Sequence, residues 1–214
     1  MDKGIISHPG GRDADALVNI YIECFPTRVE EVFGGVHRRT FIDDYIRFYL
    51  SWDPKNNWVY RLDEKVLGFV IAPSGYVPAR AALKQAQVLH WLNHLLLGRY
   101  GLPLHIIKRF LTAGFAFNPD PALKRLWGKP YVHLFAVTEG SQGKGIGSRL
   151  MGWTLDQYKQ QGIHFCWLTV QSGNQRGIEF YQRFGFRIHE AMANGDFIMV
   201  WGDLHDPLCH RQWR

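Results

Sequence analysis

The sequence predicts a mixed α/β domain, and three observations carry that expectation. First, the apolar run from Val132 ends at Thr138, crosses a polar turn with Gly143, Gly145 and Gly147, and enters a helical pattern. Second, that helix leads into another strand pattern, His164–Val170. A strand–helix–strand unit of about forty residues gives adjacent parallel strands. Third, two hairpin signals imply that the remaining pairing is mostly antiparallel. They are Asp63-Glu64 between Trp58–Leu62 and Val66–Ala72, and Ala193-Asn194-Gly195-Asp196 between Phe186–His189 and Phe197–Trp201.

The other elements follow in order. Gly4–Ser7 reads as a short first strand. Asp13 or Asp15 caps a helix to about Phe25, with Leu17, Ile20, Tyr21 and Cys24 on one face and Pro26 ending it. A second helix is expected from about Arg38 to Leu50, with Phe41, Tyr45, Phe48 and Tyr49 on one side. Residues 78–128 read as three helices opened by Pro78, Pro103 and Asp120-Pro121, with Gly98 and Gly128 as stops. The first of these carries Leu83, Ala86, Leu89, Leu92 and Leu96 at helical steps. Asn174–Phe184 is a further helix.

Composition narrows the class. The chain has 214 residues, 46% of them hydrophobic, enough for one core, so a single domain over 1–214 is expected. A net charge of +6 without a run of five basic residues reads as a mildly basic surface, not a nucleic-acid interface. Cys24, Cys166 and Cys209 form no C-x-x-C pair, so no zinc site or disulfide framework is indicated and no metal is expected. The start, MDKGIISHPGGRD, lacks the apolar core of a signal peptide, and the apolar window 88–117 is interrupted by His90, Asn93, His94, Arg99, Lys108 and Arg109. A cytoplasmic protein without membrane or nucleic-acid partners, monomeric or homodimeric, is the expectation.

The glycine turn carries the chemistry. The first N–H groups of a helix have no internal partners and sit at the positive end of its dipole, and glycine lets a phosphate approach the backbone. A phosphate-bearing ligand is expected at Gln142–Ser148. A Walker A loop fails here twice, with Thr138 in place of its first glycine and Gly145 in place of Ser or Thr. A dinucleotide G-x-G-x-x-G counted from Gly143 fails at Ser148. Gln142-Gly143-Lys144-Gly145-Ile146-Gly147 satisfies [Q/R]-x-x-G-x-[G/A]. With Phe165–Val170, Asn174, Phe180-Tyr181 and Phe184-Gly185-Phe186 following in order, the stretch from Tyr131 to Arg187 resembles the GCN5-related N-acetyltransferase (GNAT) family.

That resemblance implies the following. The fold is a mostly antiparallel sheet with one parallel strand pair at the cofactor site, here with a helical insertion at about 78–128. The cofactor is acetyl-CoA, with its diphosphate on the backbone of Gly143, Lys144, Gly145, Ile146, Gly147 and Ser148, Gln142 bridging the turn, and Lys144 near the phosphates. Its pantetheine arm runs along Phe135, Ala136 and Val137, contacts Asn174, and passes Phe180 and Tyr181. Tyr181 is the general acid for the leaving thiolate, because a phenol can protonate an alkyl thiolate. His133 matches a histidine of the arylalkylamine acetyltransferases and is the candidate base, with Glu139, Glu30 and Glu31 as alternatives. The oxyanion rests on a backbone N–H, that of Val137. Gly177 stands where the family commonly has alanine. The acceptor, a primary amine of a small molecule or peptide, is expected between 26–36 and 191–196. The alternative is a non-catalytic acyl-CoA-binding or interaction module on the same fold.

Overall fold

The computed structural model describes residues 4–30, 39–75, 90, 93–95, 97–100 and 120–203. Its frame is two antiparallel sheets. β1 (Ile5–Ser7), β2 (Asn57–Leu62), β3 (Lys65–Ile71) and β4 (Leu134–Val137) form one in that order. β5 (Phe165–Val170), β6 (Arg187–Ala191) and β7 (Phe197–Gly202) form the other, with β7 in the middle. Both hairpins sit where the turn residues place them. Asp63 takes a left-handed φ of 51° and Gly195 one of 87°, conformations that Asp and Gly tolerate and that tight strand connections require.

Six helices are described around these sheets: α1 (Ala14–Cys24), α2 (Pro26–Arg28), α3 (Arg39–Trp52), α4 (Pro121–Lys124), α5 (Ile146–Gln160) and α6 (Gln175–Arg183). Strand alternation assigns their faces. Phe69 and Ile71 of β3 pack with Leu17 and Ile20 of α1 and Ile42 and Ile46 of α3. Val70, pointing the other way, packs with Leu150, Met151 and Tyr158 of α5. The first sheet is thus sandwiched between α1/α3 and α5. Burying each such aliphatic or aromatic side chain contributes about 1.5–3 kcal/mol.

One expectation needs correction. The parallel pair is not a continuous ladder. It is one bridge, Tyr131 to Trp167, held by the Val132 N–H on the Trp167 carbonyl at 2.9 Å and the Trp167 N–H on the Pro130 carbonyl at 3.1 Å. Beyond it β4 follows β3 and β5 follows β7, and the twist of each sheet carries the two strands apart. On α3, the buried positions are Ile42, Asp44, Ile46 and Phe48, whereas Phe41, Tyr45 and Tyr49 are only half-buried. The isoleucines fill the α1 contact, and Tyr45 and Tyr49 pack against His133.

Of the expected insertion at 78–128, the positions Leu83, Ala86, Leu89, Leu92 and Leu96 of the first helix and the whole Pro103 helix lie outside the described residues, as do Glu31 and Cys209. The helix opened by Asp120-Pro121 is present and short: Asp120 Oδ1 accepts the Ala122 N–H at 2.9 Å, and Gly128 takes a φ of 75° just after it. Among the described residues, no helix is long and apolar enough to cross a membrane.

Candidate active site

The splayed gap between β4 and β5 positions the site. The Thr138 N–H donates to the Leu67 carbonyl at 2.9 Å. The Ala136 carbonyl also faces β3, since a Cβ added at Gly68 would lie 2.9 Å from it. Alternation then turns the backbone groups of Phe135 and Val137 toward the gap. Of the three residues expected along a pantetheine arm, Phe135 and Val137 present main-chain groups there, and the backbone of Ala136 pairs with β3.

The glycine turn closes one end of the gap. Gly143 and Gly145 have φ of 78° and 80°, which other residues adopt only with strain. Gly145 is the N-cap of α5 and makes no side-chain cap, so the N–H groups of Ile146, Gly147 and Ser148 open the helix without a capping side chain. Gln142 Nε2 donates to the Val137 carbonyl at 3.1 Å and ties the turn to β4. The Ile146 side chain is buried in the core, so only its backbone faces the ligand side. Lys144 folds back, its Nζ donating to the Gly140 carbonyl at 2.7 Å, and remains on the exposed rim.

A cleft of 690 Å³ runs from this turn along β4. Phe135, Ala136, Val137, Gln142, Gly143, Gly145, Gly147, Ser148, Asn174, Phe180 and Tyr181 all line it. Arg176 and Arg183 line it too. Sequence reasoning passed over both, although they flank Phe180 on one amphipathic helix. Phe135 and Phe180 stack with centroids 5.3 Å apart. Asn174 is the N-cap of α6, accepting the Gly177 N–H at 2.9 Å. A Cβ at residue 177 would lie 2.6 Å from the Asn174 Nδ2, so the glycine and this cap conformation go together.

A second cavity of 210 Å³ continues past Tyr181 and is lined by Cys24, Thr27, Arg28, His133, Thr169 and Gln171, among others. Tyr181, Phe135 and Asn174 belong to both walls. Burial pushes the Tyr181 phenol above its ordinary range, so it is protonated at neutral pH. Burial also pushes the Cys24 thiol up to about 11, with Glu23 and Glu139 adding to the shift. The thiol donates to the Val137 carbonyl at 3.2 Å and is not a poised nucleophile.

His133 is where the sequence placed it, on the wall of this cavity, but its chemistry differs from that of a base. Nε2 lies 2.7 Å from the Tyr45 hydroxyl and Nδ1 2.8 Å from the Tyr131 hydroxyl. The ring also lies 3.8 Å from the Tyr49 ring. Burial first, and the Arg28 charge second, lower its pKa to about 3. A neutral imidazole with both nitrogens engaged has little capacity to take a proton at pH 7. Arg28 and the tyrosine cage were invisible in sequence, because 88 residues separate Tyr45 from His133. Glu30 and Glu139 are exposed and line neither cavity. Asp196, on the last hairpin, is close enough to Arg28 to interact with its charge.

Comparison with known proteins gives the class. The acetyltransferase (GNAT) family matches residues 14–186, and the chain belongs to that family. An L-methionine sulfoximine/L-methionine sulfone acetyltransferase of Pseudomonas paraeruginosa is 32% identical over 73 residues, 34% of this chain and 42% of that protein. A spermine/spermidine N(1)-acetyltransferase of Bacillus subtilis is 32% identical over 78 residues, 34% of this chain and 49% of that protein. The matched stretch therefore spans less than half of either relative. Among solved structures, the paia N-acetyltransferase of Thermoplasma acidophilum in complex with coenzyme A superposes with a TM-score of 0.56 at 15% identity, covering 94% of this chain and 99% of that one. At that identity the likeness concerns the fold.

Proposed function

We propose that the protein is an acetyl-CoA-dependent N-acetyltransferase acting on a primary amine of a small molecule or peptide in a reducing cytoplasm. The observation that carries this reading is Tyr181, a protonated phenol at the junction of two cavities, one leading to an uncapped helix start and the other to Arg28 and His133. The α5 amides and the cations Arg176 and Arg183 hold the phosphates of the coenzyme. The main chain of Phe135 and Val137 pairs with the pantetheine arm, and the thioester then lies beside Tyr181. No metal enters this chemistry.

The amine nitrogen attacks the thioester carbonyl and a C–N bond forms. The oxyanion is stabilised by the Val137 N–H. Collapse breaks the C–S bond, and the departing thiolate takes the Tyr181 hydroxyl proton. The ammonium proton then travels through water to the phenolate, so the net proton ends on coenzyme A. His133 and its two tyrosines position the pocket wall in this scheme and do not carry the proton.

The amine must be neutral to attack. Arg28 opposes a second positive charge in the pocket, and the described lining contains no carboxylate. Both features favour an acceptor with its own anionic group over a polyamine. The test is thiol release from acetyl-CoA across α-amino acids, their decarboxylated amines, polyamines and peptides. Turnover that prefers carboxylate-bearing amines is expected. Tight coenzyme binding with no turnover of any amine would instead establish the non-catalytic module.

A further inference from the structure

Away from the cleft, three side chains of metal-ligand type converge. Asp44 Oδ1 lies 3.1 Å from His90 Nε2, and Asp44 Oδ2 lies 2.8 Å from His94 Nδ1. The three ligand atoms all lie within 4.8 Å of one another. We infer that Asp44, His90 and His94 form a binding site for a divalent first-row transition metal, with zinc the natural occupant.

Three features support it. The donor set is two imidazoles and one carboxylate, which suits zinc, cobalt, nickel or copper better than calcium or magnesium. The histidines stand four apart with helical backbone at His90 and 93–95, so both rings project to one side, where their centroids lie 4.1 Å apart. A tetrahedral ion with bonds of about 2.0–2.1 Å holds its ligand atoms about 3.3 Å apart, so a set already within 4.8 Å closes onto an ion by small side-chain rotations. The mouth is accessible: the His90 side chain is 52% exposed, which leaves room for water as a fourth ligand, while Asp44 and His94 are buried. Tyr100 donates its hydroxyl to Asp44 Oδ2 at 2.7 Å, the kind of outer contact that fixes a ligating carboxylate.

One neighbour competes. Arg99 Nη1 lies 3.1 Å from His94 Nε2, which makes Nε2 the acceptor and puts the proton on Nδ1, facing Asp44. On metal uptake through Nδ1 that proton transfers to Nε2, and the exposed Arg99 swings aside. The expectation of no metal came from cysteine spacing and has no bearing on this set. The consequence is structural. An ion here staples α3 to the segment around 90–100, and α3 also carries Tyr45 and Tyr49 against His133.

Tag-free protein stripped with a chelator and titrated with Zn²⁺ against a chromophoric competitor tests this. One ion per chain with micromolar or tighter affinity is expected, with a Tm that rises on adding Zn²⁺ and falls back with chelator. His90→Ala, chosen because its ring is half-exposed, should bind at least tenfold more weakly and lose the Tm response while keeping the wild-type circular dichroism. Asp44→Asn should abolish uptake. No uptake by the wild type, or uptake undiminished in His90→Ala, would mean a hydrogen-bonded cluster only and would overturn the proposal. None of these readouts depends on acetyl transfer.

Discussion

The two ends of the active-site channel are built in opposite ways. At the proposed coenzyme end, the cleft is closed by main-chain groups of consecutive residues, Gly143 to Ser148, shaped by glycines with φ near 80°. At the proposed acceptor end, the lining comes from α1, α2, β4 and the residues before it, and β5, brought together only by packing. Tyr181 stands between them. The glycine turn can be damaged only by changing backbone geometry, with Arg176 and Arg183 adding charge beside it, whereas the second end can be retuned one side chain at a time. The proposed transfer, with one fixed donor and a variable acceptor, calls for that division.

The largest expected effect lies at the junction. Tyr181→Phe removes the proton for the thiolate and should lower kcat about a hundredfold or more, within the usual range for general acids. Acetyl-CoA affinity should change less than about twofold, because no coenzyme binding is assigned to the hydroxyl. Stopped-flow thiol release separates the two, and an unchanged kcat would remove Tyr181 from the chemistry.

Next is the backbone end. Gly145→Ala meets no steric obstacle but must hold a φ of 80°, a strain of about 1–2 kcal/mol. Relief of that strain tilts the turn, and coenzyme affinity should fall about tenfold, equivalent to about 1.4 kcal/mol. Activity toward the bound acceptor should be nearly retained.

The acceptor end should respond electrostatically. Arg28→Gln removes a positive charge from the pocket, so the acceptor amine becomes more basic. The rising limb of the kcat/KM profile against pH should move upward by about one unit, with coenzyme binding unaltered. An unshifted limb would mean that Arg28 does not face the amine.

His133 gives a pH-dependent signature without catalysis. Its folded pKa of about 3 lies below the ordinary 6.5. Between those values the unfolded chain binds a proton that the native ring does not. Stability is therefore fully present above pH 6.5 and is lost as pH falls through that window, by at most about 1.4 kcal/mol per pH unit. Solvent reaching the half-buried ring reduces the slope below that limit. Denaturant unfolding from pH 7 to pH 4 should show the loss, and His133→Gln should flatten it.

The smallest effect is the most diagnostic of local geometry. Gly177→Ala gains about 0.5–1 kcal/mol of helix propensity and forfeits an Asn174 cap worth about 1 kcal/mol. Thermal stability should hardly move, while the displaced Asn174 turns toward the cleft and alters coenzyme affinity.

The same division explains what the sequence disclosed. The glycine turn, the Asn174 cap, the position of Tyr181 in the cleft and both hairpins were legible because each is a local pattern with a local physical cause. The single-bridge meeting of β4 and β5 was not, since divergence comes from the twist of two separate sheets. The tyrosine cage and Arg28 depend on α1 and α3 folding onto β4. The His90–His94 spacing was visible, but their partner Asp44 lies 46 and 50 residues away and only the fold unites them. On α3 the aromatic side is legible, but that Ile42 and Ile46 fill the contact with α1 is not, because it depends on how α1 lies against β3.

The central claim is that main-chain amides at the start of α5 grip the coenzyme diphosphate. Titration calorimetry of coenzyme A and of pantetheine, which lacks the diphosphate, tests it directly. One site per chain is predicted, with coenzyme A binding far more tightly than pantetheine and with Gly145→Ala erasing much of that difference. Equal affinity for the two ligands, or no heat with either in folded protein, would contradict it.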